Sequence, residues 1–122
     1  MGGSKSGNEG VENSKMNLQL HELAKHDLSQ GGEFYESQEP GLGDYFFESL
    51  ESDLDDLLKI HTTNDLTFTP QVLFNHFVSR SSKFPWSIYY QTQENLILVQ
   101  AILDQRFSPN RLKQILTTRN PS

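Results

Sequence analysis

The chain has 122 residues, 34% of them hydrophobic, with a formal net charge of −6, which fits one domain with one modest core. There is no cysteine, so a disulfide framework and a thiolate metal site are both excluded. No apolar run reaches the roughly 18 residues of a membrane span, and no apolar stretch opens the chain as in a secretory signal, so a cytoplasmic location is expected.

Residues 1–15, MGGSKSGNEGVENSK, carry one aliphatic residue, Val11. Such a composition buries too little apolar surface to offset its ordering entropy. It reads as a disordered extension, native or not, and the folded domain is expected over 16–119. The charge is also split along the chain. Residues 16–58 hold eleven acids and one base, Lys25, whereas 59–122 hold seven bases and three acids. That asymmetry predicts an acidic helical part and a basic remainder.

Asn17 to Leu20 alternates polar and apolar, as a short edge strand does. The period then changes to that of a helix through Leu20, Leu23, Ala24, Asp27, Leu28, Gly31 and Tyr35. Gly31 and Gly32 each lower helix propensity by roughly 1 kcal/mol. Because the pattern resumes at Phe34 and Tyr35, a continuous helix is expected, with a second helix in close approach at the glycines. Glu39-Pro40-Gly41-Leu42-Gly43 reads as the connection, and Asp44 is placed to cap the second helix. Phe46, Phe47, Leu50, Leu54, Leu57 and Leu58 then form its apolar stripe over about four turns. The short connection makes the two helices antiparallel.

Thr62 to Thr69 is polar and reads as a loop ending at Pro70. Three strands follow, Leu73–Arg80, Phe84–Gln91 and Leu96–Asp104, with a tight turn at Glu94-Asn95. Pro109 opens a short last helix. The order β–α–α–β–β–β–α predicts an α+β fold: an antiparallel helix pair packed on one face of a small antiparallel sheet. Only the last helix is available to cover the other face.

With the elements in place, four stretches resemble the RelE/ParE superfamily of toxins, in the branch often labelled plasmid stabilisation proteins. They are Phe34–Gly43 at the helix junction, Asp44–Leu50, Lys83–Tyr90 with its FP-x-x-IYY pattern (Phe84, Pro85, Ile88, Tyr89, Tyr90), and Ala101–Pro109. The resemblance spans Met16 to about Pro109. It implies the toxin half of a type II toxin–antitoxin pair, neutralised by a small protein antitoxin. Members cleave mRNA on the ribosome or poison DNA gyrase without catalysis, and a degenerate, non-toxic homologue is a further alternative.

Cleavage of RNA needs cations on the phosphate and a group that moves protons. Strand alternation places His76 and Arg80 on one face of the first strand, and Ser87, Tyr89 and Gln91 on one face of the second, leaving Trp86, Ile88 and Tyr90 for the core. The expected cluster is Arg80, Lys83, Tyr89 and Arg106, with His76 a weaker candidate. The resemblance puts Arg106 near the nuclease pocket. It also marks departures: Ser87 stands where nuclease members carry an arginine, Asp104 where many relatives carry a histidine, and Phe107 in place of a second base. No cofactor is expected. Nor is a metal, since His21 and His26 are five apart and miss the i, i+4 spacing of ligands on one helical face.

Overall fold

The computed structural model describes residues 16–63 and 67–119. The expectation for residues 1–15 lies outside them. In chain order the elements are β1 (Asn17–Leu20), α1 (Glu22–Gln38), α2 (Leu42–Thr63), β2 (Gln71–Leu73), β3 (His76–Arg80), β4 (Trp86–Gln93), β5 (Leu96–Asp104) and α3 (Pro109–Arg119). The sheet order is β1-β5-β4-β3-β2, so β1 is an edge strand as its alternation suggests. Among the described residues, no helix is long and apolar enough to cross a membrane.

Two features of the sheet differ from the sequence reading. It is mixed, because β1 runs parallel to β5 while the other neighbours are antiparallel. A parallel neighbour needs a long connection, and everything from α1 to β4 lies between these two strands. The expected strand Leu73–Arg80 is instead a hairpin. Phe74 and Asn75 form its two-residue loop with φ of 48° and 67°, the left-handed geometry that suits the twist of a tight hairpin. An aromatic residue at such a position is uncommon, so this turn carried no recognisable signal.

Helix α1 starts at His21, whose Nδ1 accepts the Leu23 N–H at 3.1 Å. It runs unbroken through Gly31 and Gly32, which lie against α2 as expected. A Cβ on Gly31 would fall 2.6 Å from Phe46 Cζ, and one on Gly32 would overlap the Phe47 ring. Gly43 answers from α2, where a Cβ would sit 2.7 Å from the Gly32 carbonyl oxygen. Helix α2 begins two residues before Asp44. Its cap comes from α1: the Glu36 carboxylate accepts from Gly41 and Gly43 N–H at 3.1 and 3.0 Å. A carboxylate there also suits the positive end of the helix dipole. Asp44 sits within the first turn. At its other end α2 takes in Thr62 and Thr63, for 22 residues in all.

The sheet separates two apolar clusters. Phe46, Leu50 and Leu57 of α2 and Ala24 of α1 pack on Trp86, Ile88, Tyr90, Ile97, Val99 and Ile102. Leu112 and Leu116 of α3 pack on Val78, Tyr89, Ala101 and Leu103. Strand β5 serves both faces through a bulge: Tyr89 pairs with Ala101 and Tyr90 with Val99. Gln100 is therefore an extra residue, and alternation resumes one position out of step. Within the helix-side cluster, His61 Nε2 meets the Tyr90 hydroxyl at 3.0 Å. Burial pushes the Tyr90 phenol up to about 12 and pulls the His61 imidazole below its ordinary 6.5.

Two tests follow from this packing. Gly31→Ala and Gly43→Ala should lower stability by about 1–3 kcal/mol in urea unfolding, because buried Phe46 and the Gly32 backbone have no room to yield. Gly32→Ala should be near neutral. The half-exposed Phe47 can swing aside, and alanine returns about 1 kcal/mol of helix propensity. The second test concerns pH. The fold favours neutral His61, so its contribution is complete above pH 6.5 and declines as the pH falls below that value. The urea midpoint should fall between pH 7 and 5, and His61→Gln should flatten that part of the profile.

Candidate functional site

Arg80 and Tyr89 come together as expected, on the face that α3 covers. Arg80 Nη1 donates to Ser87 Oγ at 3.3 Å, and its Nη2 donates to Gln71 Oε1 at 2.9 Å. Burial raises the Tyr89 phenol, held partly back by Ser87 and by the Arg80 charge. The face is not open, however, for Tyr89 is only 2% exposed. His76 shares the face but lies four residues along β3 from Arg80, a span of about 13 Å. It is 1% exposed, and its Nδ1 lies 2.8 Å from the Phe74 carbonyl oxygen. A carbonyl only accepts, so Nδ1 carries the proton. His76 Nε2 and Gln100 Oε1 find no hydrogen-bond partner among the described residues.

The other two expected members stand apart. Lys83 lies over the Tyr45 ring, 5.8 Å from its centroid, beside the start of α2. Arg106 is exposed and folds back on Asp104 through a two-pronged contact, Nε to Oδ1 at 2.9 Å and Nη2 to Oδ2 at 2.6 Å. The pairing holds the Asp104 carboxyl below its usual range and the guanidinium above its own. Each departure noted in the sequence thus has a partner here. Ser87 accepts from Arg80, Asp104 binds Arg106, and Phe107 carries the Arg111 guanidinium 4.1 Å from its ring centroid.

A cleft of about 140 Å³ opens elsewhere, at the outer edge of β5. Strand β1 pairs with β5 only as far as Val99. Beyond it, the β5 edge is met by side chains. Asp27 Oδ2 accepts the Ile102 N–H at 3.1 Å, and Arg119 Nη1 donates to the Gln100 carbonyl at 3.3 Å. Asp27 and Arg119 are also bound to each other through both carboxylate oxygens, Nη1 to Oδ2 at 2.5 Å and Nη2 to Oδ1 at 3.1 Å. From α1 the cleft is lined by Asp27 and Gln30, and from the sheet by Trp86, Ile102 and Leu103. Phe107, Arg111, Ile115 and Arg119 form the α3 side. Trp86 Nε1–H is fixed by the Tyr35 hydroxyl at 3.0 Å. Asp27 stood on the inner stripe of α1 in the sequence, an acid at an apolar position. That was the available signal, and nothing local named Arg119 as its partner. Among the described residues, no group of three or more histidines and carboxylates is placed to hold a metal ion.

No protein-family model matches the chain, and no curated protein matches it in sequence. A solved structure does match in shape: a chain of the chromosomal ParDE toxin–antitoxin system from P. aeruginosa, with a TM-score of 0.56. The match covers 75% of this chain and 97% of that one, at 13% identity. This chain shares the fold of that ParDE chain. At that identity the likeness is one of fold alone.

The Asp27–Arg119 pair is open to a double-mutant cycle. Either Asp27→Ala or Arg119→Ala should cost about 3 kcal/mol, because each strands a buried charge. The double variant should cost less than the two together, by more than about 1 kcal/mol of coupling in urea unfolding. Additive losses would show that the two residues act separately.

Proposed function

We propose that the protein is the toxin component of a type II toxin–antitoxin system, held inactive by a small protein antitoxin. The observation that carries this reading is the fold shared with the ParDE chain over nearly all of that chain's length. The four sequence stretches of RelE/ParE character support it independently, since they fall at the helix junction, the start of α2, β4 and the end of β5.

Of the two modes of action in that superfamily, the geometry favours contact with a protein target such as DNA gyrase over cleavage of mRNA on the ribosome. Stabilising a scissile phosphate requires cations that converge on one point. Arg80, Lys83 and Arg106 are instead bound to three different neighbours. Tyr89 is buried with its proton held more tightly than usual, and the expected His76 is enclosed. Either target would place the protein in the cytoplasm.

Induction of the chain in bacterial cells should arrest growth, and co-expression of the product of the adjoining reading frame should relieve the arrest. The purified protein should inhibit gyrase supercoiling and leave translated mRNA intact. Ribosome-dependent cleavage that is lost in Arg106→Ala would reverse the choice of target. Unimpaired growth on induction would remove the toxin reading itself.

A further inference from the structure

We propose that the cleft between α1 and α3 is where the antitoxin docks, and that it takes a segment carrying an apolar side chain next to a carboxylate. The inference rests on the toxin reading above and adds the place and chemistry of the contact. Its volume of about 140 Å³ is close to the roughly 150 Å³ cavity that admits a benzene ring. It therefore has room for one aliphatic or aromatic side chain. The half-buried Phe107 and Ile115 supply apolar surface at that space, over a buried wall of Trp86, Ile102 and Leu103.

The charges at the cleft select the neighbouring group. Arg119 is already bound to Asp27. Arg111 rests on the Phe107 ring and has no ion-pair partner among the described residues. A carboxylate brought by a partner completes Arg111 and leaves the Asp27–Arg119 pair intact. An incoming ammonium or guanidinium gains nothing at Arg111 and meets its like charge. The outer faces of α1 and α2 carry exposed Glu22, Glu33, Glu48 and Glu51, so an acidic segment is repelled from them and steered toward the α3 side.

The mode of binding is constrained as well. The Ile102 N–H and the Gln100 carbonyl are taken by Asp27 and Arg119. A partner strand cannot pair with β5 at those positions, and recognition there falls to inserted side chains. Phe34 is an exposed aromatic residue outside the cleft lining. It lies on the same side of α1 as Asp27 and Gln30, at i, i+3, i+7 spacing, and is 48% exposed.

The probe is the protein encoded by the adjoining reading frame, titrated into the full chain. Trp86 is the single tryptophan and lines the cleft, so its emission reports occupancy. Arg111→Glu should raise Kd roughly tenfold or more, with Ile115→Ala also weakening binding. Lys113→Glu, at an exposed position outside the cleft lining, should stay within about twofold because rim charges contribute little. Thermal melting of each variant separates lost binding from lost folding. A complex as tight in Arg111→Glu and Ile115→Ala as in the parent chain would overturn the docking site while leaving the toxin reading in place. A chain that arrests growth yet does not bind the probe would also overturn it. Absence of growth arrest would instead count against the toxin reading on which it depends.

Discussion

The open stretch of β5 is the constraint around which this domain is arranged. Strand β5 has nine residues, and its neighbour β1 has four. Half of one β5 edge would therefore present unpaired backbone groups, at a position flanked by apolar cores on both faces. An unsatisfied buried peptide group is costly, and an open edge invites pairing with other chains. One carboxylate from α1 and one guanidinium from α3 meet both needs. Asp27 and Arg119 satisfy the strand and neutralise each other. In doing so they tie the first and last helices to the centre of the sheet.

That arrangement also shapes the cleft. Side chains bridge less evenly than a strand would, and a recess remains beside the pair, with buried Trp86 and Ile102 forming part of its wall. The recess joins the two apolar layers around the strand edge. Ile102 comes from the helix-side cluster and Leu103 from the α3 side. The bulge at Gln100 makes this possible, because it shifts the alternation of β5 just where β1 stops.

Charge is distributed by the same geometry. Most acidic residues of α1 and α2 are exposed on the helix pair, with Asp27 and Asp53 buried, while most of the described bases lie on α3 and near the strand ends. Most of the bases are engaged locally: Arg106 by Asp104, Arg119 by Asp27, Arg80 by Ser87 and Gln71. Among the described residues, the charge is polarised, and Arg80, Lys83 and Arg106 do not converge on one point.

Much of the fold was written in local periodicity. The switch from period two to period 3.6 located β1 and α1, the glycine pair marked the close helix contact, and the alternation of Trp86, Ile88 and Tyr90 against Ser87 and Tyr89 assigned the two faces of β4. These features depend on residues a few positions apart, so the sequence displays them directly. Others were hidden. Phe74-Asn75 carried no turn signal, so one strand was expected where there are two. The partnership of Asp27 with Arg119 joins residues 92 positions apart, and no spacing rule connects them. Of the expected cluster, Arg80 and Tyr89 meet, while Lys83 and Arg106 stand apart. Alternation states which face a residue occupies, but meeting across the fold depends on strand register, on a single bulge and on where a short edge strand ends. The sequence by itself determined most of the elements and the faces of β4. The tertiary structure decided which charges meet, because distant side chains are brought together only by the packed sheet and helices between them.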